Sequence, residues 1–189
     1  MSSFTAVYDA CVFYPAPVRD ILIRMALTGM FRAKWTNQIQ DEWTRNLLKN
    51  RKDIAASRLQ KTVSLMNEHI KDCLVENYEF IIKSVTLPDP DDRHVLAAAI
   101  ISNADVIVTE NLKDFPVSEL SKYGIEAQSP DIFLSHLYDL KPEVFCLVVH
   151  QLRSDLNKPS LTAEELLQIF YKHGLPMTVN KLKNCIDLI

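Results

Sequence analysis

Short runs of apolar and β-branched residues alternate along this chain with longer segments whose apolar residues recur at helical spacing. Strands that alternate with helices are joined by crossover connections, so this order predicts a parallel sheet covered by helices. The predicted strands are Phe4–Asp9, Phe80–Leu87, Asp105–Thr109 and a last short strand at Gly124–Gln128. Beyond them the pattern is helical only, which predicts an α/β fold with a C-terminal helical extension.

Local signals mark where several helices begin and end. Asp89 precedes Pro90 as a helix N-cap, and the helix that follows is apolar nearly all round, which predicts burial inside the domain. Thr162 and Glu165 form a capping box, and Gly174 ends that helix. The other predicted helices are Val18–Phe31, Asn37–Asn50, one or two within Lys52–Tyr78, one from Ser129, Pro142–His150 and Pro176–Ile189.

The chain has only three glycines, Gly29, Gly124 and Gly174. Their separation excludes the glycine motifs of dinucleotide-binding folds, P-loop enzymes and nucleophile elbows. The cysteines form no C-x-x-C pair and are expected to be buried free thiols, and the histidines show no metal-binding spacing. A zinc centre is therefore not predicted, and any phosphate chemistry has to use side chains or harder metal ions.

The length of 189 residues predicts one domain with an appendage. The expected division is an α/β domain over residues 1–140 and a helical extension over 141–189, with Ser154–Leu161 as the best linker candidate. The longest apolar run, Val95–Ile101, is far shorter than the roughly 20 residues that cross a membrane. The first residues also lack the pattern of a secretory signal, so we expect no membrane association and a cytoplasmic location.

The charge is unevenly distributed although the net charge is only −3. Between Arg24 and Lys61 nine basic residues face three acidic ones, which predicts either a patch for a polyanion or an ordinary solvated helix face. Glu42, Arg45, Lys49 and Lys52 follow helical spacing and would form one stripe. If this chain cleaves a nucleic acid, Arg45, Lys49 and Lys52 would be candidate contacts for its phosphates.

Acidic and polar residues follow the predicted strands at the places where those strands end. The candidates are Asp9, then Asp91 and Asp92, then Asn111 and Asp114, with Glu42 on an early helix that could lean over them. Because the carboxyl ends of parallel strands meet at one edge of a sheet, we expect these side chains to converge. Taken singly, each has a structural alternative, such as a helix-capping or dipole-favoured acid for Asp91 and Asp92.

Converging carboxylates without histidine or cysteine form an oxygen-donor site that suits Mg²⁺ or Mn²⁺. With one or two such ions the natural chemistry is phosphodiester hydrolysis, in which the cation activates water and stabilises the leaving oxygen. Trp43 is predicted to be a core residue, and His94 is expected to point away from the site and be structural. Lys113 is as readily explained as a solvated residue as a catalytic one.

Four segments resemble the acidic motifs of the PIN-domain ribonucleases, and most of all their VapC-like toxin branch. The segments are VYDACVFY, QIQDEWTRNL, DPDDRHVLAAAI and ADVIVTENLKDFP, and the resemblance covers Phe4 to Leu137. It implies a three-layer αβα fold around a short parallel sheet and an endoribonuclease that depends on Mg²⁺ or Mn²⁺. It also implies a homodimer and inhibition by a cognate antitoxin protein.

The resemblance also implies a role for individual residues. Asp9, Glu42, Asp92 and Asp114 would be the catalytic acids that bind the metal ion, with Asp92 preferred because it directly precedes the R-H-V-L-A-A-A helix. Asn111 and Thr109 would be supporting residues, together with Asp91. Many members read D-x-[NS] at the first acid, where this chain has Cys11, and a thiol is expected to be a poor hydrogen-bond donor to Asp9.

Two other classes of function remain open at this point. A non-catalytic PIN-fold module that binds RNA or protein would show neither metal binding nor turnover. An aspartyl-phosphate phosphatase or receiver domain would need a second acid beside the first strand, where this chain has Ala10 and Cys11. The C-terminal region carries no recognisable chemistry and could pack on the domain, form a dimer or contact the antitoxin.

Overall fold

The structure, a computed structural model, describes residues 4–156 and 159–189. Its strands are β1 Thr5–Tyr8, β2 Arg32–Lys34, β3 Val106–Val108 and β4 Glu126–Gln128. Its helices are α1 Ala10–Phe13, α2 Ala16–Leu27, α3 Asn37–Asn50, α4 Ala56–His69, α5 Glu79–Ile82, α6 Arg93–Ile101, α7 Val117–Leu120, α8 Pro130–Leu140, α9 Pro142–Asp155, α10 Ala163–Lys172 and α11 Pro176–Leu182. Short 3₁₀ segments lie at Pro90–Asp92, Leu112–Asp114, Ser121–Tyr123 and Lys183–Leu188.

The four strands form one parallel sheet in the order β2-β1-β3-β4. All residues of β1 and β3 are buried, and because successive side chains of a strand point to opposite faces, helices must cover both faces of the sheet. The predicted α/β class and the three-layer arrangement are therefore confirmed, with the helical extension following the sheet. Val7 lies in register with Lys34 on one side and with Ile107 on the other.

Helix α6 packs against β1 and β3 on one face of the sheet. Residues His94–Ala99 are buried, so the helix is enclosed as its sequence predicts. Asp89 begins the segment as predicted, since its side chain accepts a hydrogen bond from the backbone N–H of Asp91 at 2.9 Å. Thr36, Ser129 and Thr162 cap α3, α8 and α10 in the same way.

The predicted strand at Phe80–Leu87 is wrong. Its first residues form the helical turn α5, which packs on α6, and the remainder is a loop in which only Val85 and Leu87 are buried. A short apolar run cannot by itself distinguish a buried strand from a loop or turn that covers the core. The sheet uses β2 instead, an edge strand so short and polar that only Ala33 is buried, which leaves no pattern to find in the sequence.

The C-terminal helices pack on the α/β part of the chain. Helix α11 contacts α8, and α9 and α10 both contact α2. Helix α9 continues to Asp155, into the predicted linker, and Asn157 and Lys158 of that linker lie outside the described residues. The division at residue 140 stays a prediction.

Two of the four cysteines are not free, contrary to the sequence-based expectation. Cys146 on α9 and Cys185 in the last 3₁₀ segment form a disulfide, whereas Cys11 and Cys73 are free thiols. The two partners are 39 residues apart in sequence, and only the packing of the C-terminal segment against α9 makes them neighbours. In the described residues no helix combines the length and the apolar character needed to cross a membrane.

Candidate active site

Asp9 and Thr109 lie side by side at the carboxyl edge of the sheet. β1 and β3 pair so that Tyr8 lies opposite Val108, and each of these is followed by one of the two polar residues. The backbone N–H of Asp9 donates to the carbonyl of Val108 at 3.1 Å, which fixes Asp9 where the strand ends and α1 begins. Asp9 is only 3% exposed, so its carboxylate needs partners within the fold.

Two side chains donate hydrogen bonds to one oxygen of Asp9. The hydroxyl of Thr109 donates to Oδ2 at 2.7 Å, and the thiol of Cys11 donates to the same atom at 3.0 Å. In the described part of the chain no side-chain or backbone donor binds Oδ1, which leaves that oxygen for another ligand. The structure thus places Thr109 beside Asp9, and it makes Cys11 a hydrogen-bond donor to Asp9, although a thiol was expected to be a poor donor there.

The same two side chains also hold the loop that follows β3. Thr109 Oγ1 accepts the backbone N–H of Asn111 at 2.9 Å, and Cys11 Sγ accepts the backbone N–H of Glu110 at 3.3 Å. Burial, and secondarily the charge of Asp9, raises the pKa of the Cys11 thiol. The thiol therefore stays protonated at neutral pH and acts as a donor to Asp9.

Glu42 reaches the site from the middle of α3. Its Oε2 lies 3.4 Å from Nε2 of His94, a residue that is 4% exposed in the first turn of α6. His94 therefore contacts a site acid instead of pointing away, because Glu42 lies against the start of α6. The Nδ1 atom of His94 is buried without a hydrogen-bond partner in the described residues.

Asp92 stands at the start of α6 and faces the accumulated negative charge of the site. Burial raises its pKa to about 7, and the charges of Asp9, Asp89, Asp114 and Glu42 act in the same direction. Asp92 reaches this edge through the 3₁₀ segment that leads into α6, since no strand precedes it. Repulsion of this kind is what a bound cation would relieve.

Asp9, Glu42, Asp92 and Asn111 line one cavity of about 450 Å³. Its ligand atoms are oxygens, which suits a hard divalent cation better than zinc. Among the described residues no three acidic, histidine or cysteine side chains are yet close enough to enclose a metal ion. The chemistry of the donor set fits such an ion, and its binding would require the carboxylates to move closer together.

Two predicted acids lie outside this cavity. Asp114 is half-buried in the 3₁₀ segment after Asn111, where its charge still raises the pKa of Asp92. Asp91 is exposed, and only its backbone N–H takes part in the structure, through Asp89. The structure therefore brings Asp9, Glu42 and Asp92 to one cavity and leaves Asp91 and Asp114 outside its lining.

The predicted basic stripe does not line the cavity either. Arg45 and Lys49 are exposed on α3, and Lys52 lies in the turn after that helix ends at Asn50, so the stripe has only two cations on the helix. The face of α3 that lines the cavity instead carries Glu42, Asn46 and Asn50. Their spacing of four residues was a helical signal present in the sequence, but it contains no charge beyond Glu42.

Two further residues line the cavity but were not predicted as site residues from the sequence. Glu110 directly follows Thr109, and burial together with the nearby charge of Asp131 raises its pKa. Tyr14 also lines the cavity, and its hydroxyl accepts a hydrogen bond from Asn50 Nδ2 at 3.3 Å. Glu110 carried a sequence signal as an acid after a strand, whereas only the fold reveals Tyr14.

Comparison with known proteins finds two families and a relative that this chain is similar to. Residues 5–113, more than half of the chain, match the family described as PIN domain, and residues 130–184 match the family described as VapC50 C-terminal domain. A relative from Mycobacterium tuberculosis strain H37Rv, named "Putative ribonuclease VapC50", is 45% identical over 76 residues. That alignment covers 40% of this chain and 45% of the relative, so the chain spans less than half of that protein's length. No solved structure matches the chain.

Proposed function

The chain belongs to the PIN-domain family, and from this premise we propose that it is a metal-dependent endoribonuclease that acts as the toxin of a type II toxin–antitoxin pair. The relative named as a ribonuclease and the match to the VapC50 C-terminal domain support this proposal. So does the sequence, which offers oxygen ligands at the carboxyl edge of a parallel sheet and no glycine loop for phosphate.

One observation carries the proposal. Asp9, Glu42 and Asp92 meet at a single cavity, where burial raises the pKa of Asp92 to about 7 and the charges of the neighbouring acids add to that effect. A protein gains nothing in stability from gathering carboxylates in this way, because each like charge disfavours the others. The arrangement is accounted for if a divalent cation is the normal occupant.

We assign the acids Asp9, Glu42, Asp92 and Asp114 to the cation, which is Mg²⁺ or Mn²⁺. When bound, such an ion lowers the pKa of water and stabilises the oxygen that leaves the phosphate. Thr109 and Cys11 orient Asp9 by donating to Oδ2, so that Oδ1 is available to the ion. The amide of Asn111 adds a neutral oxygen at the same cavity.

The remaining parts of the proposal concern partners and place of action. Arg45, Lys49 and Lys52 are exposed cations that RNA phosphates could contact from outside the cavity. We further propose a homodimer, an antitoxin protein as inhibitor, and action in the cytoplasm, where RNA substrates are found. Asp91 is no longer assigned a supporting role, because its side chain is exposed and lies outside the cavity.

The test is cleavage of a mixed pool of tRNA and mRNA by the purified protein with Mn²⁺ or with EDTA. We expect cuts that require Mn²⁺ and that fall by about two orders of magnitude or more in Asp92→Asn and in Glu42→Gln. Asp41→Asn is the matched control, because Asp41 adjoins Glu42 on α3 but is exposed and outside the cavity. Cleavage that survives in Asp92→Asn and Glu42→Gln would reject the assigned site, and a wild type that binds RNA without cutting it would favour a non-catalytic module.

A further inference from the structure

A second and larger cavity adjoins the acidic one. Its volume is about 670 Å³, within the range of about 300–1,000 Å³ that is usual for ligand sites. Tyr14 lines both cavities and stands where they meet. We call this second cavity the basic groove, and the residues that matter for its chemistry are Tyr14, Arg19, Arg51, Asp53, Arg58 and His173.

The charge of the basic groove is opposite to that of the acidic cavity. Three arginines line it and only one acid, Asp53, which pairs with Arg51 through two hydrogen bonds of 2.8 and 2.7 Å. Within the described residues no carboxylate lies within 4 Å of the guanidinium groups of Arg19 or Arg58. In the described residues the basic groove therefore holds two guanidinium groups that form no salt bridge, and of these Arg19 still feels the charge of Asp20.

Arg19 is fixed in the wall of the basic groove by contacts that do not include a salt bridge. Its guanidinium lies 4.9 Å from the centre of the Trp43 ring and donates to the carbonyl of Phe13, so the side chain is fixed. Burial lowers the pKa of Arg19 below its ordinary value, and the charge of Asp20 offsets only part of that effect, so on balance the fold disfavours this charge. An anionic ligand in the basic groove would offset that cost.

The position of the basic groove beside the acidic cavity indicates which class of anionic ligand it binds. A nucleic acid that is cut at the acidic cavity must continue beyond it, and its phosphates are repelled by the carboxylates there. Through Tyr14 the basic groove offers that continuation, with cations for the phosphates and a partly exposed aromatic ring for a base. An acidic peptide would use the cations but would gain nothing from the connection to the acidic cavity.

We propose that the basic groove binds the sugar–phosphate backbone of single-stranded RNA next to the bond that is cleaved. This inference rests on the proposed function, which it extends by assigning a substrate path. His173, at the end of α10, forms part of the wall, so the C-terminal region takes part in substrate binding as well as in packing. The predicted stripe of Arg45, Lys49 and Lys52 lies outside this path.

The first experiment measures RNA affinity in EDTA, where the proposed cleavage does not occur. Fluorescence anisotropy with a short, labelled, unstructured RNA compares Arg58→Ala with Lys61→Ala, which removes an exposed charge from the same helix outside the basic groove. We expect Arg58→Ala to weaken RNA binding by about five- to tenfold and to make the negative slope of log K against log salt less steep by about 0.7. The RNA affinity of Lys61→Ala should stay within about twofold of the wild type.

The second variant should improve binding, a result that a folding defect cannot produce. Asp53→Asn removes the single acid of the basic groove and releases Arg51, and we expect RNA to bind about two- to fivefold more tightly. Equal effects of Arg58→Ala and Lys61→Ala, with no gain in Asp53→Asn, would overturn the proposed groove.

The outcomes separate this inference from the proposed function. A wild type that cuts RNA with Mn²⁺ while the basic-groove variants bind normally overturns the basic groove and keeps the nuclease. A wild type that binds RNA through the basic groove but never cuts it supports the basic groove and rejects the nuclease. If a labelled glutamate-rich peptide binds in the Arg58-dependent manner and RNA does not, the ligand class assigned here is wrong.

Discussion

At the scale of single residues, a thiol and a hydroxyl make equivalent hydrogen bonds around Asp9. Cys11 and Thr109 each donate to Oδ2 of Asp9 and each accept a backbone N–H from the loop after β3. The two side chains therefore link the end of β1 to the end of β3. Asp9 is oriented by this arrangement, which depends on neighbours 2 and 100 residues away in sequence.

Replacing these donors should affect activity in a graded way. Thr109→Val keeps the shape but removes the shorter hydrogen bond, and we expect metal-dependent cleavage to fall by about 10- to 100-fold. Cys11→Ser keeps a donor and should retain activity within about threefold of the wild type. The activity of Cys11→Ala should lie between that of Cys11→Ser and that of Thr109→Val. Cys73→Ser is the control, since Cys73 is the other free cysteine and lies outside the cavity. Equal activity of Thr109→Val and the wild type in a cleavage assay would contradict the orienting role.

The raised pKa of Asp92 predicts how stability depends on pH in the absence of metal. Its folded value of about 7 lies above the ordinary 3.8, so between these values the folded chain binds more protons than the unfolded chain. The resulting stabilisation is fully present below about pH 4, is lost progressively as the pH rises, and is gone above about pH 7. Asp92→Asn, which carries no charge, avoids that loss.

Thermal unfolding in EDTA checks this prediction. Wild type and Asp92→Asn should have similar midpoints below about pH 4 and diverge progressively between about pH 4 and pH 7, and above about pH 7 the variant should be the more stable by a constant difference. Asp41→Asn should keep a constant offset from the wild type across the same range. A wild type that is more stable than Asp92→Asn at about pH 8 would show that the carboxylates do not repel one another in the metal-free fold.

At the scale of elements, the carboxylate of Asp131 joins two helices that are distant in sequence. It accepts the backbone N–H groups of Met177 and Thr178 and the hydroxyl of Thr178, each at 2.8 Å. Asp131 is 6% exposed and Thr178 fully buried. The first turn of α8 thereby satisfies donors in the first turn of α11 that the helix itself cannot satisfy.

Asp131→Ala should therefore destabilise the protein strongly. Removing the acceptor leaves buried donors unpaired, and we expect a loss of about 3 kcal/mol in the free energy of unfolding. For a chain of this size the melting temperature should fall by roughly 6–12 °C. Asp139→Ala is the matched control, because Asp139 on the same helix also contacts α11, through Lys181, but at the surface. If calorimetry gave the two variants the same melting temperature, the buried carboxylate would not be what holds α11 on α8.

At the scale of the whole molecule, the C-terminal helices pack against the α/β part, and residues of both parts line the basic groove. Helices α9 and α10 pack on α2, and His173 forms part of the wall of the basic groove beside Tyr14 and Arg58. The predicted division at residue 140 thus crosses a tightly packed interface. Of the three roles considered for the C-terminal region, packing is the one that the structure displays.

The sequence by itself determined the elements whose signals are local. Caps at Asp89, Ser129 and Thr162 mark helix starts because a short polar side chain must satisfy N–H groups a few residues away. Polar residues at the ends of predicted apolar strands located Asp9 and Asn111, since parallel strands bring their carboxyl ends to one edge. The family motifs added Thr109 and the preference for Asp92 over Asp91.

Only the tertiary structure decided what depends on contacts between distant segments. It replaced the predicted strand at Phe80–Leu87 by β2, whose three residues pair with β1 without an apolar pattern of their own. It paired Cys146 with Cys185. It also placed Arg58, and not Lys52, in the lining of the basic groove. The physical reason is the same each time: side-chain direction and long-range packing set which residues meet, and neither is encoded within a short window of sequence.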